Sequence, residues 1–372
     1  MTSRPGKPRP PSEPRPAEQR PGERRLAEAA KRTKPATLDD VAALAEVSAK
    51  TVSRVVNNEA SVSSATRERV MRAVELLDYK PNLNARVLAG DRSFLIGLFY
   101  GGPGGFLSDF QAGATEVCRD SGYHLMVEPW DSDSTQLNRD MASLLRQLRL
   151  DGVILLPPLG DDRLICNTLR DAGIPMVQIA PCEQAPDSPS IGIDDYAATR
   201  RLTSYLLDLG HRRIGFILGS PGHGATENRY RGFTDEMHAR RVPVDAALVG
   251  RGNFHFPDGV VVAERMLAER KPPTAIFASN DDTAAAAISV AHRRGLQLPR
   301  DLSVVGFDDS PIASMVWPLL TTVRQPVMAM ARVAARLIIE NTPRKHGWPV
   351  PMPSSLLDCE LILRDSVAPP RS

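Results

Sequence analysis

Nowhere in its 372 residues does the chain run apolar for the roughly 18–20 positions that a membrane-crossing helix needs. A membrane partner is therefore not expected. The first residues lack the apolar core of a secretory signal, so the expected location is cytoplasmic, and nucleoid-associated if the partner is DNA. Cysteine is scarce. Cys118, Cys166, Cys182 and Cys359 are scattered with no CxxC pair, which argues for reduced thiols and against a disulfide framework or a zinc site. Catalytic signatures are missing as well: the chain has no HExxH, no GxSxG and no dinucleotide fingerprint, and its 7 histidines are dispersed. The GGPGG run at 101–105 lacks the GK[ST] ending and the GxGxxG spacing, so it reads as a flexible loop at a cleft edge. No enzyme activity, cofactor or metal is expected.

Large apolar residues are almost absent from residues 1–35, which are rich in Pro, Arg, Lys and Glu. Such a composition cannot offset the entropy of ordering, and this tail is expected to stay disordered. Net charge is only +2 but uneven: the first 90 residues hold 17 Lys and Arg against 11 Asp and Glu. A basic end on a slightly acidic body suggests nucleic acid as a partner. A solvated charged tail has the same signature, so charge does not decide.

At residue 36 the composition changes. TLDDVAALAEVSAKTVSRVVN places apolar residues at Leu38, Val41, Ala42 and Ala45, then at Val47, Val52, Val55 and Val56, which is two short helical stripes around a tight turn. Thr37 with Asp40 makes a capping-box start, and Ser48 is placed to cap the second helix. A third helix begins near Ser64, with Val70, Val74 and Leu77 facing inward, and Pro81 stops it. Three such helices sharing one small core over residues 36–81 form a helix-turn-helix unit. Ala49, Lys50, Ser53, Arg54 and Asn57 then point outward, small or hydrogen-bonding side chains of a size that fits a major groove. A generic bundle with a polar face has the same pattern. The following stretch, NLNARVLAG at residues 82–90, is two helical turns, marginal in water without support.

From Phe94 the pattern alters again. FLIGLFY, YHLMVEP, DGVILLP, IPMVQIA, RRIGFILG, TAIFASN and LSVVGFDD are short apolar runs suited to buried parallel strands. Helical stretches lie between them near 108–121, 135–149, 195–209, 226–240 and 281–294. Repeated βα units over this length predict an α/β, doubly wound core with two lobes, whose ligands bind beyond the carboxyl ends of the strands. Asn280, Asp281 and Asp308 stand at such ends. Such side chains could hold several hydroxyls at once, which suits a sugar. Phe254, Phe256 and Trp317 are candidates to stack on a sugar face, with wall packing as the other reading for Trp317. Asp194 sits near a lobe crossover, where helix capping is its other reading. Tyr100 and Phe106 flank the glycine-rich loop. His211 in LGHRR reads as structural and His223 as a surface residue.

These segments resemble the lac-repressor (LacI/GalR) family of bacterial transcription regulators. TLDDVAALAEVSAKTVSRVVN, VSSATRERV and YKPNLNARVLAG look like its headpiece and hinge. LGHRRIGFILG, RYRGF, TAIFASND, LSVVGFDDSP and PLLTTVRQP look like its effector-binding core. The resemblance runs in register from about Thr37 to about Ser366 and leaves the first 34 residues outside. It implies a helix-turn-helix headpiece and a hinge helix at residues 82–91. A two-lobed, periplasmic-binding-protein-like core would follow over residues 92–372. It implies that the helix after Ser48 enters the major groove of operator DNA, with Ala49, Lys50 and Arg54 reading bases. Thr51, Ser53 and Asn57 would lie near bases or phosphates, and Thr37, Ser63 and Thr66 along the backbone. Asn82, Ala85, Arg86 and Leu88 belong to a hinge that folds on specific DNA, Leu88 acting as a minor-groove wedge, a physically sensible way to kink a base step. Paired hinges imply a homodimer on a roughly palindromic site. After LDCELILRDS only VAPPRS remains, with no heptad tail for a tetramer seam. Arg229 matches an effector-binding arginine of the family. A sugar-released repressor is the expected function. A ligand-strengthened regulator answering to a purine or another metabolite is the alternative. A solute-binding protein shares the core, but would need an export signal and no headpiece.

Overall fold

The computed structural model describes residues 36–56, 61–79, 92–102, 105–130, 137–185, 188–341 and 354–371. They fall into two units, one on each side of the 90/91 junction.

In the first unit, helix α1 (Leu38–Ala45) starts on a reciprocal cap. The Asp40 N–H donates to Thr37 Oγ1 at 3.3 Å while the Thr37 N–H donates to Asp40 Oδ2 at 2.8 Å. Glu46, left-handed at φ 53, ends the helix and makes the tight turn. Ser48 then accepts the Thr51 N–H at 3.2 Å and opens α2 (Ala49–Val56). Ser63 does the same for α3 (Ser64–Leu76), accepting from Thr66 N–H at 3.3 Å. Val41, Ala42, Ala45, Val52, Val55, Val70, Ala73 and Tyr79 form one buried cluster. Two eight-residue helices are too short to persist in water, and this shared burial is what holds them.

The second unit is built from β1 (Leu95–Tyr100), α4 (Gly105–Asp120), β2 (His124–Pro129), α5 (Leu137–Gln147), β3 (Gly152–Leu155), α6 (Arg163–Asp171), β4 (Met176–Ile179) and β5 (Ser190–Gly192). There follow α7 (Asp195–Asp208), β6 (Ile214–Leu218), α8 (Gly224–Ala239), β7 (Val249–Arg251), α9 (Phe256–Leu267), β8 (Ala275–Ala278), α10 (Asp281–Arg293) and β9 (Ser303–Val305). The chain ends with β10 (Thr322–Arg324), α11 (Val327–Asn341), β11 (Ser355–Leu356) and β12 (Glu360–Ile362). One parallel sheet has the order β11-β5-β4-β3-β1-β2 and a second has β7-β6-β8-β9; β10 pairs with β12 antiparallel. Strands β3, β4, β8 and β9 are buried along their whole length, because helices cover both faces, so they read as unbroken apolar runs. The chain leaves the first lobe after β5, comes back through α11 and β11, and re-enters the second at β12.

Helices α7 and α8 lie side by side and carry residues of the cleft. Gly232 lets them touch: a Cβ there would stand 2.6 Å from the Tyr196 carbonyl oxygen, a backbone atom that cannot swing away. Gly232→Ala is therefore expected to destabilise the fold by about 1–3 kcal/mol through overpacking. A urea titration checks this, and a neutral result would mean that the helix pair can separate freely.

Candidate functional site

The cleft lies where the strands of the second lobe end, and one buried cation organises it. Arg229 projects from α8 and is only 4% exposed. Its Nε donates to Asp195 Oδ1 at 2.7 Å, and its Nη1 donates to the Ser279 carbonyl at 2.5 Å and lies 3.6 Å from Asp308 Oδ1. The guanidinium carbon sits 3.6 Å from the centre of the Phe307 ring, a stacked cation–π arrangement. One charge thus ties together the carboxyl ends of β8 and β9 and the start of α7.

Asp308 is held unusually. Its φ is 111 and that of Asp309 is 55, two successive non-glycine residues in the left-handed half of backbone space. Strain of this kind persists where the surroundings over-determine the geometry, and here it aims the Asp308 carboxylate at Arg229 and at the Gln325 Nε2, which donates at 2.7 Å. Burial lifts the Asp308 carboxyl to about 6, against the opposing pull of Arg229 and the Gln325 hydrogen bond. Asp281, at the start of α10, is 1% exposed and accepts from Ser310 N–H at 2.7 Å and Thr322 Oγ1 at 2.6 Å. Burial first, and the Asp308 charge second, push its carboxyl well above the ordinary range.

A folded carboxyl with a raised value binds its proton more tightly than the unfolded chain does. The stability this adds is full below the unfolded value near 3.8 and is lost as pH rises through about 6. Asp308→Asn is expected to raise unfolding free energy at pH 7 by about 2–3 kcal/mol and to flatten the profile between pH 4 and 6. Denaturant titrations at several pH values check it; an unchanged slope would show that Asp308 does not set the profile.

The remaining positions of interest separate into cleft, framework and surface. Asn280 caps α10: its Oδ1 accepts the Thr283 N–H at 3.0 Å and its Nδ2 donates to the Phe254 carbonyl at 3.0 Å. Phe254, itself at φ 61, sets the tip of its ring against Gly219, where an added Cβ would fall 2.0 Å from it, and packs on His223 with centroids 4.9 Å apart. Asp194 is exposed and caps α7 through the Ala197 N–H at 2.9 Å, while the adjacent Asp195 turns inward to Arg229. Trp317 is 73% exposed and Phe256 is 39% exposed, so neither ring is enclosed. Tyr100 ends β1 half-buried, and Phe106 packs toward Phe110 with centroids 6.0 Å apart. His211 is fully framework, bonded to Thr274 Oγ1 and the Ala368 carbonyl, both at 2.9 Å.

Besides Asp195, two contributors had no clear signal in the sequence. His223 is recessed, not a surface residue. Its Nδ1 is buried without a hydrogen-bond partner among the described residues, and burial together with the Arg229 charge pulls the imidazole down to about 4, so it is neutral near pH 7. Asp161, from the first lobe, accepts the Cys182 N–H at 2.5 Å. The same loop presses on the second lobe: a Cβ on Gly224, the first residue of α8, would lie 2.7 Å from the Cys182 nitrogen. The lobes therefore touch at the amino end of the helix that bears Arg229.

The headpiece offers a second site. Lys50 is exposed, Ala49, Thr51, Ser53 and Arg54 are half-buried on α2, and Ser48, Ser63 and Thr66 cluster at the amino ends of α2 and α3. Helix amino ends present backbone N–H groups that suit phosphate oxygens. Asn57, Asn82, Ala85, Arg86 and Leu88 lie outside the described residues.

Comparison with known proteins agrees with both units. Residues 37–82 match the model described as bacterial regulatory proteins, lacI family, and residues 203–367 match a periplasmic binding protein-like domain. The HTH-type transcriptional regulator DegA of Bacillus subtilis (strain 168) is 33% identical over 347 residues, covering 90% of this chain and 98% of DegA. The structure of the transcriptional regulator CelR in complex with cellobiose superposes with a TM-score of 0.68 at 30% identity, over 89% of this chain and 99% of that one. The lac repressor dimer bound to operator and the anti-inducer ONPF gives 0.69 at 27%, over 90% and 100%. With helix-turn-helix, two-lobed core and near end-to-end similarity in agreement, the chain belongs to the lacI family of bacterial regulatory proteins.

Proposed function

We propose that the protein is a dimeric transcriptional repressor that holds a palindromic operator through two headpieces and lets go when a sugar enters the core cleft. The observation that carries the effector half is the Asp195–Arg229–Asp308 cluster. A guanidinium flanked by carboxylates at the strand ends can donate to and accept from adjacent hydroxyls together. Cellobiose in the CelR complex supports the sugar class. On the DNA side, Arg54 and Lys50 take base edges, Ala49 meets a thymine methyl, and Thr37, Ser48, Thr51, Ser53, Asn57, Ser63 and Thr66 fix register on phosphates and nearby bases. Asn82, Ala85, Arg86 and Leu88 supply the hinge and its wedge. The protein binds its sugar without turning it over, and no helix among the described residues is long and apolar enough to cross a membrane.

The mechanism is differential binding. Sugar bridging the lobes across the Gly224–Cys182 contact favours one lobe arrangement, and operator favours the other. Coupling of this kind is reciprocal: sugar weakens operator by the same factor by which operator weakens sugar. The test is fluorescence anisotropy on an operator selected from random duplexes, after a thermal-shift panel of mono- and disaccharides, nucleobases and sugar phosphates has identified the ligand. Operator and saturating sugar binding independently would refute the mechanism. A shift with a nucleobase alone would move the assignment to a purine.

A further inference from the structure

The second sheet has an opposite end. Where β6 begins at Ile214 and β7 follows Leu248, away from the cleft, a recess opens with Ile214, Val242 and Leu248 as its apolar floor and Arg212, Arg213, Arg240 and Arg241 around it. Two of these guanidiniums are committed to carboxylates. Arg213 pairs with Asp245 at 2.5 Å and Arg240 with Asp208 at 2.7 Å. The other two are not. Arg212 donates to the carbonyls of Leu207 at 2.7 Å, in the last turn of α7, and of His211 at 2.9 Å, and neither Arg212 nor Arg241 has a carboxylate partner among the described residues.

Arg241 also occupies an unusual backbone position. Helix α8 closes with Arg241 N–H donating to His238 O and Val242 N–H to Met237 O, both at 2.9 Å. That reversal forces the residue after the helix into left-handed space, and Arg241 has φ 56. Glycine dominates such positions because it has no Cβ to clash. Elsewhere in the core glycine takes this place, with Gly122, Gly173, Gly210 and Gly295 at positive φ just beyond α4, α6, α7 and α10, while in the headpiece Glu46 at φ 53 and Asp78 at φ 44 follow α1 and α3. At the end of α8 an arginine stands instead, with no ion pair among the described residues to offset the strain. A strained residue with no ion pair among the described residues is a reason to look for an external partner.

We propose that this recess binds a phosphorylated small metabolite, its phosphate held by Arg212 and Arg241 and its carbon body resting on the Ile214–Val242–Leu248 floor. Guanidinium forks match phosphate oxygens in geometry and charge. The carboxyl ends of α7 and α8 oppose an anion with about half a charge each, against two whole ones. The site is separate from the sugar cleft, yet α8 joins them, with Arg229 near one end and Arg240 at the other.

The test is calorimetric titration of the full chain with pyrophosphate at low salt. Arg241→Gly and Arg212→Gln are each expected to weaken binding at the pocket at least tenfold, whereas Arg163→Gln, at an exposed arginine of the first lobe, leaves it unchanged. The basic headpiece also attracts pyrophosphate, but equally in every variant, so the difference reads the recess. Arg241→Gly suits the backbone, so its melting temperature should hold or rise, which separates lost binding from lost folding. Pyrophosphate bound alike by wild type, Arg241→Gly and Arg212→Gln would overturn the proposal, as would sulfate bound as tightly as pyrophosphate.

Discussion

Replacing Arg229 with methionine is expected to cost about 3–5 kcal/mol of folding stability and to abolish sugar binding. The reason lies in what remains. Arg229 is the buried partner of Asp195 and lies 3.6 Å from Asp308; without it two carboxylates face each other in a site shielded from water. Methionine keeps much of the volume over the Phe307 ring, so the loss reports charge and not a cavity. Asp195→Asn added to Arg229→Met should restore part of the stability, and the double-mutant cycle should give a coupling well above 0.5 kcal/mol. Chemical denaturation measures both. A single-variant loss below about 1 kcal/mol would place the pair in the class of solvent-screened surface bridges and remove the electrostatic basis of the cleft.

Arg54→Ala should have the largest effect on DNA. A fork-shaped contact to guanine O6 and N7 is worth about 1–3 kcal/mol, and a dimer makes it twice, so operator affinity should fall by roughly 30-fold to 10⁴-fold. Binding to a scrambled duplex, which rests on the whole basic surface, should fall far less. The comparison is anisotropy on both duplexes at one salt concentration. Equal losses on both would make Arg54 a phosphate contact, and sugar affinity should be the same as in wild type in either case.

Much of this architecture can be read from local chemistry. Thr37, Ser48 and Ser63 cap their helices because a hydroxyl answers a backbone N–H three residues on, a relation contained in the sequence itself. The long buried strands announce themselves as apolar runs. Strands of two or three residues, such as β5, β7 and β11, do not, since so short a segment has no period. Helices α6, α9 and α11 are not among the helical stretches expected from the sequence. Side-chain direction is harder still. Asp194 and Asp195 are indistinguishable on paper, and the phase of α7 alone decides that the first caps and the second meets Arg229. His223 looks like a surface residue until Phe254, 31 positions later, closes over it. Trp317 looks like a stacking platform, yet it stands out in solvent. In each instance the deciding neighbour is remote in sequence.

The path of the chain through its core also bears on how such proteins diversify. Neither lobe is a continuous stretch of the gene: β11 completes the first sheet after all of the second has been laid down, and Ser366 and Ala368 bond back to Val304 and Ser303. A single recombination breakpoint inside the core would leave each parent's lobe short of a strand, so lobes cannot be traded as cassettes. The helix-turn-helix, contiguous from Leu38 to Leu76 with its own buried cluster, can be. New operator specificity is open to inheritance in one crossover, while a new effector must be acquired residue by residue in a core that cannot be divided.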